Sequence, residues 1–174
     1  MNDWVERFLS DGCAFVPFNC EGVGDQLTVM LANGEKVSLN LTVRTFLKRC
    51  VRYFGNDLTA LRQVYGQVIG KRYQIPLPLS IQFTLVPFKV RKPVGVQGAY
   101  GWFVAEKIQG LKRQSRVRTV IHLVGNHRVN GQQSLESCEQ QLRHVLLVKN
   151  HYTTLHKPQA VVREAGSVLP YSFR

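Results

Sequence analysis

The fold of this chain is predicted by residues 26–55, which read "QLTVMLANGEKVSLNLTVRTFLKRCVRYFG". The first half of this stretch has two alternating apolar runs separated by Asn33-Gly34, the strongest short-range signal for a β-hairpin. The second half, residues 43–55, carries apolar side chains at helical spacing, and Thr42 is positioned to cap that helix. We therefore predict a hairpin that leads directly into an amphipathic helix.

The predicted helix has two unlike faces. Its apolar face consists of Val43, Phe46, Leu47, Cys50, Val51 and Phe54. The opposite face carries four basic residues, here called the basic stripe: Arg44, Lys48, Arg49 and Arg52. No acidic residue lies between Glu35 and Asp57, and each like-charged i, i+4 pair costs about 0.2–0.5 kcal/mol in an isolated helix. Because nothing within the helix compensates this repulsion, the basic stripe indicates that the helix binds an external polyanion.

The same pattern recurs 92 residues later, in "VIHLVGNHRVNGQQSLESCEQQLRHVLL" from residue 120. This stretch predicts a strand, a Gly125-Asn126 turn, a second strand, Ser134 as cap and a helix. The side chains expected to point inward from that helix are Leu135, Cys138, Leu142, Val145 and Leu146. We interpret the two stretches as one hairpin–helix unit used twice, at about 13–55 and 101–152, with Val29 over Ile121 and Phe46 over Cys138.

The two predicted helices differ on their outer faces. At the 92-residue offset, the basic stripe is replaced by Glu136, Gln140, Gln141 and His144. We expect the second helix to serve packing or self-association rather than polyanion binding.

The predicted fold class is α+β, with both units and the proline-rich strands between them forming one compact domain over residues 1–174. The connecting segment includes a helix at about 57–69 capped by Asp57. It continues with strands punctuated by prolines, which predict edge strands or extended coil: Pro76, Pro78 and Pro87. From about residue 153 the pattern is weak, which is typical of a mobile tail.

Positive charge is concentrated in the middle of the chain. The 174 residues carry a formal net charge of +12, and residues 41–130 contain 16 Lys and Arg against two acids, Asp57 and Glu106. Two loops bounded by Gly or Pro, residues 89–98 and 108–118, add to the basic stripe, which indicates nucleic acid as the partner. At the end of the second loop, Val117, Thr119 and Ile121 are expected to face inward from a strand. The candidate DNA-binding residues are Arg44, Lys48, Arg49, Arg52, Lys89, Arg91, Lys92, Lys112, Arg113, Arg116 and Arg118.

Other function classes have little support in the sequence. No apolar run approaches the ~18–20 residues that span a bilayer, and the first residues do not resemble a signal peptide, so a cytoplasmic, nucleoid-associated protein is expected. The four cysteines and five histidines show no metal-ligand spacing, and we predict no metal, no cofactor and no enzyme activity. The alternatives are an RNA-binding or ribosome-associated protein and, third, a metal-dependent nuclease, which needs paired carboxylates.

Three short motifs follow one another along the chain: "CVRYFGND" from residue 50, "FTLVPF" from residue 83 and "YGWF" from residue 100. With the hairpin and capped helix that follow, residues 20–152 resemble the ComK family of competence transcription factors. The best-fitting segments are residues 52–55 and Gly101-Trp102, whereas the C-terminal "LPYSFR" does not match the segment that a protease adaptor reads in that family.

The resemblance to the ComK family implies an activator of DNA-uptake genes. It implies binding of A·T-rich boxes in double-stranded DNA, largely through the minor groove, by a homodimer or a higher assembly of dimers. The partners that it implies are RNA polymerase and a protease adaptor.

Overall fold

A computed structural model of the chain describes residues 2–22, 24–92 and 98–157. These residues form an α+β domain of four α-helices and two antiparallel sheets, which confirms the predicted fold class. The helices are α1 (Asn2–Asp11), α2 (Val43–Tyr53), α3 (Leu58–Ile69) and α4 (Leu135–His156). The strands are β1 (Gly12–Cys20), β2 (Gly24–Leu31), β3 (Lys36–Leu39), β4 (Leu77–Ser80), β5 (Phe83–Lys89), β6 (Tyr100–Val104), β7 (Ile108–Ser115), β8 (Arg118–Leu123) and β9 (His127–Gly131).

The larger sheet has six strands in the order β3-β2-β1-β6-β5-β4. Alternate side chains of a strand point to opposite faces, so this sheet supports two cores. On one face, helices α1 and α2 pack through aromatic rings, with Phe8 and Phe46 lying 5.2 Å and 4.9 Å from Phe15 between ring centroids. Burial of these rings holds the helical layer on the sheet.

The other face of the large sheet is covered by the smaller sheet, which has the order β7-β8-β9. Phe88 and Phe103 of the large sheet are fully buried there, in one cluster with Ile121 and Leu123 of β8. Cys138 of α4 joins the same cluster. The molecule is therefore layered, with helices α1–α3, the large sheet and the small sheet in that order.

Both predicted hairpin–helix segments are present. Thr42 caps α2 by accepting a hydrogen bond from the Thr45 amide at 3.1 Å, and Ser134 caps α4 by accepting one from the Ser137 amide, also at 3.1 Å. In each case a three-stranded antiparallel meander, β1-β2-β3 or β7-β8-β9, precedes the capped helix. The superposition of the two units as a repeat stays a prediction.

The turns of the two hairpins contact each other. His127 Nε2 lies 2.6 Å from the Leu31 carbonyl oxygen, which joins the small sheet to the end of β2. Gly125 has a φ of +83°, and a Cβ at this position would lie 2.7 Å from the Ala32 carbonyl oxygen. Only glycine satisfies both the left-handed backbone and this close approach.

The proline prediction is correct for β4 and wrong for β5. Pro78 lies in β4, an edge strand, whereas Pro87 lies in β5, between β4 and β6. Pairing with β4 ends at the Leu77–Leu85 pair, so one side of β5 is open at Pro87. Gln141 of α4 occupies that side and donates to the Pro87 carbonyl oxygen at 3.1 Å.

Three further predictions from the sequence are wrong because tertiary packing, rather than the local pattern, determines the structure there. Leu146 was expected to point inward but is 68% exposed on α4. Residues 108–118 are predicted as a loop bounded by glycine, yet Ile108–Ser115 form strand β7 and Arg118 begins β8. The weak pattern from residue 153 hides the last turn of α4, which ends at His156; residues 158–174 of the expected tail lie outside the described residues. Helix α1 was not predicted.

Candidate nucleic-acid interface

The basic stripe lies on the outer face of α2. Arg44, Lys48 and Arg52 are exposed, and Arg49 is half-buried. The opposite face of the helix is held on the sheet by buried side chains, as the apolar pattern predicts: Phe46, Leu47, Cys50 and Val51. Among the described residues no carboxylate lies within ion-pair distance of any residue of the basic stripe.

The strand register defines one end of the molecule, here called the basic end. Cys20 pairs with Gly24, and Lys89 pairs with Tyr100, so β1 and β5 finish where β2 and β6 begin. The β3 strand also ends there, which brings the first turn of α2, with Arg44, to the basic end. Lys89, Arg91 and Lys92 belong to the segment that leaves β5 at this end.

The hairpin of β7 and β8 points its tip toward the basic end. Near this tip, Thr119 pairs with Arg113 and with Gly131, and the Gln132 amide donates to the Lys89 carbonyl oxygen at 2.7 Å. At the far end of β8, the Cys13 thiol donates to the Val124 carbonyl oxygen at 3.4 Å. The exposed basic side chains of this hairpin therefore lie close to the basic end: Lys112, Arg113, Arg116 and Arg118.

The expected alternation at the hairpin tip is wrong. Val117 was expected to face inward with Thr119 and Ile121, but it lies in the turn and is 67% exposed. Thr119 and Ile121 are fully buried, as expected. A turn residue has no sheet face, so the period of two holds only from Arg118 onward.

Two of the candidate cations already contact protein oxygens. Arg113 forms an ion pair with Glu136 in the first turn of α4, and this hydrogen bond raises the pKa of Arg113 and lowers that of Glu136. Arg91 lies 3.8 Å from the Asp25 carboxylate and donates to the Gly98 carbonyl oxygen at 2.9 Å. Both acids are distant in sequence from their partners, so local inspection of the basic loops missed these pairs.

The structure brings part of the candidate set together and separates the rest. Arg44, the described part of the segment after β5 and the β7–β8 hairpin share the basic end, whereas residues 93–97 of the first predicted loop lie outside the described residues. Arg52 lies in the last turn of α2, about 14 Å along the helix from its start. The basic stripe and the β7–β8 hairpin also lie on opposite faces of the large sheet. A single flat surface therefore cannot include all eleven candidate residues. Most of them lie at the basic end.

Sequence inspection missed one basic residue at this end, Arg62 of α3. Burial and the positive charge of Arg44 lower the pKa of Arg62. Arg62, Arg44 and Arg91 line a cleft of about 560 Å³ together with Trp102 and Tyr100. No local signal marks Arg62, because its neighbours in the cleft come from α2 and the loop after β5.

The two acids of the basic central region have structural partners. Asp57 caps α3 by accepting from the Ala60 amide at 2.9 Å, as predicted. Glu106 accepts from the Thr84 amide at 2.8 Å and from Lys149 at 2.8 Å. In the described ranges no three His, Cys, Asp or Glu side chains are grouped so as to hold a metal ion.

Among the helices that the structure describes, none combines the length and apolar character needed to cross a membrane.

Comparison with known proteins identifies no relative. No family model matches the chain, and no curated protein and no solved structure matches it.

Proposed function

We propose that this chain binds double-stranded DNA through the basic end and acts as a transcription activator of the ComK type. The observation that carries the proposal is the convergence of cations from three separate elements on one end of the molecule. Those without a carboxylate within ion-pair distance among the described residues are Arg44, Lys89, Lys92, Lys112, Arg116 and Arg118. When Lys and Arg side chains bind phosphates, they displace the counterions condensed on DNA, and the release of these counterions favours binding.

The shape of the β7–β8 hairpin suits a minor groove. Its tip is narrow, and Arg116 and Val117 form the turn between the two strands. Narrow A·T-rich minor grooves have an enhanced negative potential that favours inserted arginine. In this proposal the tip enters the minor groove, while Arg44 and the segment after β5 contact flanking phosphates.

Self-association on DNA has a candidate surface on α4. Leu146 and Leu147 are 68% and 51% exposed on this helix, beside Val68 and Ile69 of α3. Exposed apolar side chains grouped in this way are typical of contact surfaces between copies. We propose that the DNA-bound form is at least a homodimer, in the cytoplasm and associated with the nucleoid.

A competition experiment tests the proposal. Fluorescence anisotropy should show tighter binding to an A·T-rich duplex than to a G·C-rich duplex or to double-stranded RNA of equal length. Netropsin, a minor-groove ligand, should displace the protein, whereas blocking major-groove edges should have much less effect. Preference for RNA would favour the RNA-binding alternative, and cutting of plasmid with Mg²⁺ or Mn²⁺ would favour a nuclease.

A further inference from the structure

The cleft lined by Arg44, Arg62 and Arg91 carries an excess of positive charge. Three arginines line it against a single acid, Asp25. Arg62 is half-buried beside Arg44, and neither guanidinium lies within ion-pair distance of a carboxylate in the described residues. A half-buried guanidinium next to a second positive charge is unfavourable unless an anion joins them.

A second observation concerns hydrogen-bonding capacity inside the cleft. The Asp25 Oδ1 atom is buried and accepts no hydrogen bond from any described residue, and its separation of 3.8 Å from Arg91 is too long for one. A buried acceptor without a donor destabilises the folded state. A ligand hydroxyl or amine at this position would supply the missing donor.

Part of the remaining wall is aromatic and apolar. Trp102 and Tyr100 of β6 line the cleft with Pro17 and Leu47. Gln74, which also lines it, has a φ of +55°, a left-handed conformation that is uncommon for a residue other than glycine. Its carbonyl oxygen is held by Gln141 Nε2 at 3.0 Å. Strained residues of this kind concentrate at ligand sites.

We infer that this cleft binds a nucleoside phosphate. The arginines match the phosphate, the Asp25 carboxylate matches a ribose hydroxyl, and the aromatic wall matches the base. The volume of about 560 Å³ lies within the range of small-molecule sites, which is about 300–1,000 Å³. Binding of a nucleoside phosphate does not require duplex DNA. A failure to bind the nucleoside phosphate can therefore be distinguished from a failure of the proposed DNA binding.

Tryptophan fluorescence provides a direct test, because the chain has two tryptophans and Trp4→Phe leaves Trp102 as the single reporter. In that background AMP is titrated without DNA. We expect saturable quenching with a dissociation constant below about 1 mM. Adenosine and inorganic phosphate, each holding only part of the ligand, should bind at least about tenfold more weakly.

Two substitutions locate the site. Arg44→Gln and Arg62→Gln should each weaken AMP binding by at least about tenfold, the loss expected for one charge-assisted hydrogen bond. Arg44 is exposed, so its substitution tests the site even if Arg62→Gln impairs folding. Arg143→Gln, on α4 in a different groove, is the charge-matched control and should leave the affinity unchanged.

Three results would overturn the nucleoside phosphate site. They are the absence of saturable quenching by AMP, equal affinity in the Arg44→Gln, Arg62→Gln and Arg143→Gln variants, and quenching by a single-stranded oligonucleotide in the absence of any response to AMP.

Discussion

At the residue scale, Gln141 shows how a polar side chain can replace part of a sheet. Its amide is 5% exposed and donates to the carbonyl oxygens of Gln74 and Pro87. The sequence offset placed Gln141 opposite Arg49 of the basic stripe and predicted an outer-face position. The prediction fails because α4 packs along the open side of β5, a contact that no local pattern shows.

Substitution of Gln141 should therefore reduce stability. Gln141→Leu leaves two carbonyl oxygens without their donor, at a cost of about 1–3 kcal/mol for each that stays buried. Gln140→Leu, one residue away and exposed, is the matched control. Urea denaturation should show a lower free energy of unfolding only for Gln141→Leu. Equal stabilities would mean that the two hydrogen bonds are replaced by water.

The buried cysteines give a second prediction at this scale. Burial raises the pKa of the Cys13 thiol to about 11 and that of Cys50 to about 12, and it also raises the pKa of Cys138. Because the thiolate is the reactive form, all three should resist iodoacetamide at pH 8 in the folded protein. Mass spectrometry should find them alkylated only in denaturant. Rapid native labelling of Cys50 would contradict its burial in the α2 core.

At the scale of elements, local sequence patterns predicted the turns and caps whose contacts join residues close together in the sequence. The Asn33-Gly34 and Gly125-Asn126 turns and the Thr42 cap depend on residues a few positions apart, and all were predicted. The β7 strand was missed because Gly110 and the run of basic residues after it are typical of a loop. Its hydrogen-bonded partner and its packing, rather than its composition, make this segment a strand.

The β7–β8 hairpin gives a prediction at the same scale. Arg116→Ala with Arg118→Ala should weaken DNA binding and flatten the plot of log K against log salt by about 0.9–1.8, one unit of about 0.9 for each lost phosphate contact. Thermal stability should barely change, since both side chains are exposed.

The control is Arg7→Ala with Arg128→Ala, which removes the same charge elsewhere, since Arg128 is exposed on β9 next to His127, far from the basic end. Arg7 pairs with Glu35 in the β2–β3 turn, at the end of the large sheet opposite the basic end. If this control and the hairpin variant flatten the slope equally, net charge rather than the hairpin contact explains binding.

At the scale of the whole molecule, the distribution of charge was predictable and its geometry was not. The sequence shows that residues 41–130 are strongly basic. The length of α2 separates Arg52 from the basic end, packing of α3 against α2 brings Arg62 beside Arg44, and Arg113 pairs with Glu136 of α4. Each of these outcomes depends on how the elements pack in three dimensions, which the charge pattern alone does not show.

The central claim is that the six cations named above as lacking a nearby carboxylate bind the phosphates of duplex DNA together. Its most direct test is the affinity of the unmodified chain for an A·T-rich duplex, measured by anisotropy over a series of salt concentrations. Six phosphate contacts per protomer predict a slope of log K against log salt of about −5 for each bound protomer. A slope near zero, or no binding at low salt, would contradict the account.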